Sequence, residues 1–538
     1  MAEQGSGKFH RPPAAAQPAG AALRDGTDPT RPEILAALSL AIDLGLGQPM
    51  EHMLRAALMG MRIADLMDVG QLAREHIYYA NLLAWIGCHA DSFELAGLFG
   101  DDISFRANYY LIDAHGLPMF SLMLGHTGGG LGAWQRTARR ARFAVTAKAA
   151  VTELIRSHCT SAGQLAHRVG LDQAMPEILR HTFERWDGKG LPAGRAGAEI
   201  PLPMRIAQLA DTAEVFLRTG GVGAAAATIK ARRGTQFDPD LADLFCEHAQ
   251  DLSAGLLELD PWPAALAAAP DHAPLNGEDL DSILAAVGDL ADLKSPWTAG
   301  HSLAVAALAA AAAGECGLKA ADVEVLRRAG WVHDLGRMGV SNAVWDKALP
   351  LSSVERERLH MYPYLSERIL GRVPGMRRVA VVAGAHRERL DGSGYPNGLA
   401  GPDLDAAQRI LAAADAYQTY LEPRPHRGEM TQHAAGQYLC GQARAGQLDK
   451  DAVNSVLVAA GHRNARRRTP PSKLTGRELE VLRLLCRGMN NKDIADALSI
   501  APKTARNHVE HIYHKIGATN RVSATLYALD HDLWGGFG

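Results

Sequence analysis

The chain repeats a long segment of itself, and this repeat constrains its architecture more than any other feature. Residues 184–211 match residues 388–415 without a gap, with 13 identical positions among the 28 compared. Both copies carry a Glu-Arg-x-Asp-Gly-x-Gly-x-Pro run, which begins at Glu184 and at Glu388. A repeat this far apart indicates a duplicated domain rather than a solenoid, whose units recur at much shorter periods. Two related domains are therefore expected in one chain.

Hydrophobic periodicity predicts an all-α fold. Apolar residues recur at helical spacing through both copies, and hardly any segment alternates with period two. A chain of 538 residues has room for three or four domains, and prolines and composition shifts indicate the boundaries. The predicted segments are a disordered tail over 1–32, a first helical domain over 33–262, a linker over 263–277, a second helical domain over 278–460, a basic hinge over 461–471 and a four-helix domain over 472–538.

Composition argues against several classes of protein. The six cysteines form no Cys-x-x-Cys pair, which disfavours a disulfide framework or a zinc ribbon. The most apolar stretch, residues 303–313, is shorter than a membrane span, and no secretion signal opens the chain. A cytoplasmic protein without a membrane partner is therefore expected.

The last block has the pattern of a helix-turn-helix module. Capping residues and a proline predict four helices, over 476–487, 491–498, 502–516 and 520–531. Apolar residues share one face of the third helix, which leaves its polar side chains outward: Lys503, Arg506, Asn507, Glu510 and His514. A helix of this kind after a tight turn suits a DNA major groove. From residue 463 onward, 13 Lys or Arg accompany 7 Asp or Glu, a local charge of +6 in a chain of net charge −3.

This block resembles the LuxR-type, GerE-like DNA-binding domain. Matching residues run through the whole block, including Leu474-Thr475, Arg477-Glu478, Gly488, Asn491, Ile494-Ala495, Thr504, His508-Val509, Lys515, Gly517 and Arg521. The resemblance implies that base edges are read by Arg506, Asn507 and Glu510. It implies phosphate contacts from Lys503, Thr504 and His508, and a homodimer on paired half-sites of double-stranded DNA. The alternative is a helical docking module with an ordinary solvated face.

The second block places histidine and aspartate where helices begin and end. His333-Asp334 ends an apolar helix, His301 begins an earlier one, and Asp415 lies in an otherwise apolar stretch. An aspartate in such a stretch is costly unless it is paired or bound to a metal ion. Two imidazoles and two carboxylates suit Fe, Mn, Ni or Zn. The alternatives are a capping role for His301 and an ion pair between Asp415 and Arg409 or another cation.

These residues resemble the HD hydrolase superfamily, and its HD-GYP branch in particular, from about residue 295 to 427. The signature loop of that branch, which the resemblance implies is a substrate loop, is present as Asp391, Gly392, Gly394, Tyr395 and Pro396. The resemblance implies hydrolysis of cyclic di-GMP, with Asp334 and Arg337 as candidate catalytic residues. The implied metal ligands are His301, His333, Asp334, His386 and Asp415.

Three departures from the branch bear on activity. Tyr362 and Arg387 stand where the branch has metal-binding histidines, and Arg337 replaces a lysine. The four ligands implied by the parent superfamily are all present, namely His301, His333, Asp334 and Asp415. One bound ion is therefore favoured over two. A single ion lacks the paired-metal clamp that best serves attack on a phosphodiester.

The first copy is expected to keep the fold without a working centre. His52 and Asp211 match two of the ligand positions, and His158 keeps the histidine position that Tyr362 has lost. The remaining positions are changed and are occupied by Gly87-Cys88, Thr182, Phe183 and Leu191, with Cys88-His89-Ala90-Asp91 the nearest approach to a His-Asp pair. Expected uses of this copy are dimerisation, sensing or packing against the second copy; a composite metal site is the alternative.

Together these features predict a transcriptional regulator whose HD-GYP-like domains sense a metal ion or a nucleotide such as cyclic di-GMP. Binding would shift the population able to dimerise on DNA. An active metal-dependent phosphohydrolase with a DNA-binding module is the alternative, and a third interpretation is a dimer scaffold without a ligand.

Overall fold

The computed structural model describes residues 28–113, 115–128, 132–462, 474–518, 520–530 and 533. Over these residues the chain forms helices and short 3₁₀ turns, and no β-strand beyond isolated bridges. The predicted all-α class is confirmed. Residues 1–27 of the predicted tail and 463–471 of the predicted hinge lie outside the described residues.

The first helix begins at Arg31, within the last two residues of the predicted tail, and Thr30 caps it. The Thr30 hydroxyl accepts from the Glu33 N–H, and the Glu33 carboxylate accepts from the Thr30 N–H at 2.7 Å. This reciprocal capping box satisfies two backbone donors and begins the helix at Arg31.

The first repeat consists of helices joined by short connections. In chain order they are α1 Arg31–Gly45, α2 His52–Leu66, α3 Gln71–Leu83, α4 Ser92–Phe99, α5 Asp102–Tyr109, α6 Gly116–His126, α7 Ala133–Arg168, α8 Met175–Leu179, α9 Leu202–Ala231, α10 Pro239–Glu247, α11 Ala249–Ser253 and α12 Pro261–Ala267. Helices α2, α3 and α9 pack on one another at its centre. Helix α9 bends at Gly221, whose φ of 77° only glycine adopts readily.

The predicted linker begins inside a helix. Pro261 opens α12, where a missing N–H costs nothing, and the Asp260 carboxylate accepts from the Trp262 N–H at 3.1 Å. Prolines predict a break in the helix here, but proline is favoured in a first turn, where Pro261 lies. Further on, the Leu275 N–H donates to the Pro29 carbonyl at 2.9 Å, which ties this segment to the start of the chain.

The second repeat follows at once. Its helices are α13 Gly277–Leu293, α14 His301–Glu315, α15 Ala320–Val332, α16 Asn342–Trp345, α17 Ser353–His360, α18 Tyr362–Leu370, α19 Arg377–Gly384, α20 Ala406–Leu421, α21 Gln432–Arg444 and α22 Lys450–Ala459. Helix α14 packs against α15, α20 and α22. The stretch Pro296–Glu315 is long and apolar enough by composition to cross a membrane. It is weak evidence for a span, since Val305, Ala309 and Ala313 are buried as in a core helix.

The two repeats dock through a shared interior. Buried apolar side chains of both form one continuous cluster. At the polar part of the boundary, the buried Asp102 carboxylate accepts from the Ser341 hydroxyl at 2.7 Å and from the Asn342 N–H at 2.8 Å. It also lies 2.9 Å from an Arg106 nitrogen and 3.4 Å from Lys294 Nζ. One carboxylate of the first repeat therefore holds three groups of the second.

The repeated loop has the same internal construction in both copies. The buried Glu388 carboxylate accepts from two backbone N–H groups of its loop at 2.7 and 2.9 Å, and Glu184 does the same at 2.8 and 3.0 Å. A Cβ at Gly394 or Gly190 would lie 2.4 Å from a backbone nitrogen, so both positions need glycine. The identities between the copies therefore preserve a loop geometry.

The last block forms the four helices expected of it: α23 Gly476–Cys486, α24 Asn491–Leu498, α25 Pro502–Ile516 and α26 Arg521–Asp530. Thr475 and Asn490 cap the first two through their side chains. A turn with Ser499 in the left-handed region, φ 51°, leads into α25. The buried side chains Ala505, Val509 and Ile512 hold α25 against the others.

Candidate metal centre and DNA-binding face

Four of the predicted metal ligands lie close together in the second repeat, three at helix ends and one inside a helix. His301 is the first residue of α14, and Asp415 lies in the middle of α20. His301 Nε2 lies 3.3 Å from Asp415 Oδ1. His333 and Asp334 follow α15, and His333 Nε2 lies 3.5 Å from Asp334 Oδ1. All four side chains are buried, so their charges and lone pairs must be satisfied inside the protein.

Each histidine is oriented by a hydrogen bond on its Nδ1 side. His333 Nδ1 lies 2.8 Å from the Gly330 carbonyl, and His301 Nδ1 lies 3.0 Å from both oxygens of Glu422. Such partners fix the tautomer and direct Nε2 toward the cluster, as the outer partners of metal-bound histidines do. Glu422 was not predicted, because it follows α20 and meets His301 only through the fold.

The unsatisfied atoms of the cluster fit a metal ion. His301 Nε2, His333 Nε2 and Asp334 Oδ1 are buried without a hydrogen-bond partner, and Asp415 Oδ2 has only the Arg387 guanidinium near it, at 3.2 Å. The donor atoms of His301, His333 and Asp415 lie within 4.8 Å of one another, as do those of His333, Asp334 and His386. Two imidazoles with two carboxylates form a donor set suited to first-row divalent ions.

The structure places the fifth predicted ligand, His386, in the cluster but gives its lone pair another partner. His386 Nδ1 lies 2.7 Å from the Ala383 carbonyl and acts as the donor there, so Nε2 is the acceptor. The Tyr362 hydroxyl donates to that Nε2 at 2.8 Å, and Arg387 Nε donates to the Tyr362 oxygen at 2.7 Å. The two residues that depart from the HD-GYP pattern thus form a chain that engages His386.

Two arginines compensate the two aspartates. Arg387 lies 3.2 Å from Asp415 Oδ2, and Arg337 lies 2.9 Å from Asp334 Oδ2. Arg337 is fully buried over the Trp345 ring, 4.2 Å from its centroid. The alternative ion pair of Asp415 is thus present, but with Arg387 and not with Arg409, which pairs with Asp449 at 3.1 Å. The two guanidinium groups thus balance the charge of the two carboxylates.

Burial and neighbouring charges separate the histidines electrostatically. Burial alone would lower the pKa of His301, but the adjacent carboxylates of Asp415 and Glu422 raise it to about 10. Burial lowers the pKa of His386 to about 3 and also lowers that of His333. Without a cation, His301 therefore carries the proton of the cluster.

The predicted substrate loop lies beside this centre. Its Tyr395 ring stacks on His360, with centroids 4.0 Å apart, and lies 6.5 Å from the ring of Tyr362. The Asp391 carboxylate accepts from the N–H and hydroxyl of Ser393 within the loop. Gly392, with φ 75°, and Gly394 allow the tight turn that leads to Pro396.

Helix α25 presents the predicted DNA-binding residues on one outward face. The side chains of Lys503, Thr504, Arg506, Asn507 and Glu510 are exposed, and His508 is half-buried. Arg506 Nε donates to Glu510 at 2.9 Å, an exposed pair of the kind that contributes little to stability and separates readily. Lys515 bonds Glu478 at 2.8 Å, which holds α25 on α23.

Comparison with known proteins assigns both parts of the chain. The HD-domain family model matches residues 145–241 and 285–452, and that of the luxR family of bacterial regulatory proteins matches 472–528. The 3'3'-cGAMP-specific phosphodiesterase 3 of Vibrio cholerae is 31% identical over 410 residues, which are 74% of this chain and 88% of the relative. The chain belongs to the HD-domain family. This HD-domain protein also carries a luxR-family DNA-binding domain.

Other relatives agree with this assignment. The cyclic di-GMP phosphodiesterase response regulator RpfG of Xanthomonas campestris is 31% identical over 145 residues, 27% of this chain and 38% of the relative. A crystal structure of a cyclic GMP-AMP-specific phosphodiesterase of Vibrio cholerae superposes with a TM-score of 0.57 at 26% identity. The match covers 82% of this chain and 99% of that one. Both HD domains of this protein thus have a solved counterpart.

In the first HD domain, the residues at the former ligand positions bond to partners within that domain. His52 Nε2 lies 2.9 Å from Asp211, and its Nδ1 lies 2.5 Å from Glu214. Although burial opposes it, these two carboxylates raise the pKa of His52 to about 10, so the histidine is a cation between two anions. Thr182, at the position of His386, donates to a backbone carbonyl at 2.7 Å. Both groups of converging ligands among the described residues belong to the second HD domain, which argues against a composite site.

Proposed function

We propose that this HD-domain protein is a cytoplasmic DNA-binding regulator whose second HD domain is a sensory module with one residual metal site. The observation that carries the proposal is the chain from Arg387 through Tyr362 to His386. Family members place histidines at these two positions, whereas here a guanidinium and a phenol bond each other and His386. A second ion would have to enter against the fixed charge of Arg387.

One divalent ion is the occupant we propose, held by His301, His333, Asp334 and Asp415. When bound, such an ion supplies Lewis acidity and a water of lowered pKa. Glu422 orients His301, and Arg337 holds Asp334 in place while shielding it from solvent. Tyr395 and His360 form an aromatic surface beside the centre, on which a nucleotide base can stack.

Regulation would follow from linkage between the HD domains and a homodimer on DNA. A metal ion or a cyclic nucleotide that favours one arrangement of the HD domains raises the population able to occupy paired half-sites. Operator affinity is therefore expected to differ between metal-loaded and metal-free protein, and between protein with and without cyclic di-GMP. Equal affinities in all four states would exclude the coupling.

Metal content distinguishes the proposed sensor from its alternatives. Protein purified without chelators is expected to contain about one ion per chain by elemental analysis, because one mixed nitrogen and oxygen donor set is complete. His333→Ala should remove it, and His360→Ala, which changes a histidine outside the cluster, should not. About two ions would overturn the one-metal proposal, and no ion would leave the centre as a structural relic.

Substitutions on the outward face of α25 are expected to weaken DNA binding in two different ways. Arg506→Ala and Asn507→Ala should each weaken binding to a selected operator by about 1–3 kcal/mol and relax its sequence preference, because both side chains face base edges. Lys503→Ala should weaken binding to all sequences and reduce the salt dependence by about one phosphate contact. Fluorescence anisotropy at several salt concentrations measures both effects. Arg483→Ala, an exposed arginine on α23, is the control, and unchanged selectivity in Arg506→Ala would contradict the assignment.

Phosphodiesterase activity is the second candidate function. It is favoured by the complete four-residue set, by the intact Asp391–Pro396 loop, and by similarity to a 3'3'-cGAMP-specific phosphodiesterase over most of its length. Hydrolysis of 3'3'-cGAMP or cyclic di-GMP by purified protein, lost in Asp334→Asn, would establish it. The DNA-binding domain would then direct or regulate an enzyme.

A further inference from the structure

A cavity of about 740 Å³ lies in the first HD domain, where the second domain has its metal centre. Its lining includes residues that occupy the family's ligand and loop positions in this copy: Cys88, His158, Thr182, Phe183, Leu191 and Asp211. The volume is in the range of small-molecule sites, which is about 300–1,000 Å³. Losing the metal ligands has therefore left a ligand-sized space.

Additional helices cover this space. Cys88 and His158 are 70 residues apart, whereas the corresponding Asp334 and Tyr362 are 28 apart. The longer segment forms α4, α5, α6 and most of α7, and it has its own small apolar cluster. Phe99 and Phe105 of this cluster, with ring centroids 4.2 Å apart, line the cavity. The first domain thus has a cavity in place of the metal centre, and it is covered by helices that the second domain lacks.

The walls are mostly apolar and aromatic. Trp85 contacts Phe183 edge to face at 5.3 Å and Tyr110 at 5.6 Å, and all three rings line the cavity. Asp211 is already neutralised by His52. Burial of an apolar body against such walls is favourable at roughly 25 cal/mol per Å². The bulk of a ligand here is apolar.

Three arginines line the cavity: Arg106, Arg185 and Arg232. Arg106 is paired with Asp102 at 2.9 Å, and Arg185 with Asp113 at 2.7 Å. Arg232 donates to the neutral Gln236 amide oxygen at 3.1 Å, and no carboxylate of the described chain forms an ion pair with it. Burial and the adjacent Arg185 lower the pKa of Arg232, while the Asp113 carboxylate raises it, so a bound anion would act in the same direction as Asp113.

The floor offers a hydrogen-bond acceptor. His158 is buried, and its Nε2 donates to the Ala84 carbonyl at 2.9 Å. Its Nδ1 is then the unprotonated nitrogen, and it is buried without a partner. An ionised carboxylate has no hydrogen to donate to this atom, so the anionic group of a ligand is expected at the arginines rather than at His158.

We propose that this cavity binds a small apolar carboxylic acid, with its hydrocarbon body against the Trp85 and Phe99 walls and its carboxylate on Arg232. The site is separate from the metal centre and does not depend on whether the second domain senses or hydrolyses a nucleotide. The hydrocarbon part of the acid can be either an aromatic ring or an aliphatic chain, since both pack favourably against apolar and aromatic side chains.

Calorimetric titration of the full chain with 2-naphthoate and with decanoate tests the proposal. At least one acid should bind once per chain, and its methyl ester should bind about tenfold more weakly or worse, because a hydrogen bond to a charged group contributes about 1.5–3 kcal/mol. Tighter binding of one acid would show whether the site prefers an aromatic ring or an aliphatic chain. Absence of saturable binding by both acids, or equal affinity of acid and ester, would overturn the proposal.

Neighbouring arginines supply a matched pair of variants. Arg232→Gln should weaken acid binding by about 10- to 100-fold, whereas Arg233→Gln, which removes an exposed partner of Asp243, should not. Val151→Trp should block both acids by filling the cavity. Asp334→Asn should leave acid binding unchanged while removing metal, which separates this site from the proposed function. Equal affinities of the Arg232 and Arg233 variants would refute the anion contact.

Discussion

Replacing both Tyr362 and Arg387 by histidine is expected to raise the metal content toward about two ions per chain and to raise phosphodiesterase activity at least about tenfold. The double change removes the guanidinium from Asp415 and frees His386 Nε2 from the phenol. Changes to groups around a metal commonly alter affinity or activity by about 10–100-fold. Elemental analysis and product formation from 3'3'-cGAMP and cyclic di-GMP measure the two effects.

Two further variants define this experiment. Arg389→His changes the next arginine along the chain, whose guanidinium donates to the backbone carbonyls of His386 and Glu388, and should leave metal content and activity as they are. Adding Asp334→Asn to the double variant should abolish any activity gained. If the double variant binds no additional metal, then features other than these two side chains keep the second ion out.

Replacing Asp102 by alanine is expected to destabilise the paired HD domains by about 3–5 kcal/mol, the usual effect of removing one partner of a buried ion pair. Lys294 is fully buried at the boundary, and burial lowers its pKa to about 8 even with Asp102 present. Without the carboxylate, Lys294 and Arg106 would face each other uncompensated. Urea unfolding followed by circular dichroism measures the loss.

The neighbouring aspartate is the matched control for this change. Asp101 caps α5 by accepting from the Ser104 N–H at 3.0 Å, and Asp101→Ala should cost only about 1 kcal/mol. Lys294→Met combined with Asp102→Ala should recover part of the loss, because it removes a charge along with its partner. Equal effects of the two alanine variants would show that Asp102 is not a central contact between the domains.

Local patterns explain what sequence reasoning predicted well. Thr475 with Glu478, and Pro502 in a first turn, mark helix ends within a few residues of chain, so the DNA-binding helices were placed closely. The convergence of His301 with Asp415 also followed from a motif. In each case the signal was a residue type at a short spacing or in a family pattern.

Contacts between distant residues explain what sequence reasoning missed. Asp102 and Lys294 are 192 residues apart, and nothing near either predicts the other. Glu422 meets His301 over 121 residues, again without a local signal. The engagement of His386 depends on how the Tyr362 hydroxyl and Arg387 Nε are directed, which only packing decides. Proline at Pro261 misled because its effect depends on its position in a helix.

The shared interior bears on why a copy without a metal centre persists. Because buried side chains of both copies belong to one cluster, deleting the first copy would expose an apolar face of the second to water. Selection for folding alone would then retain the first copy after its ligands were lost, leaving its old centre free to diverge. A fusion protein that contains only one copy would have only half of this hydrophobic core. Fusions intended to transfer a sensing function should therefore contain both copies.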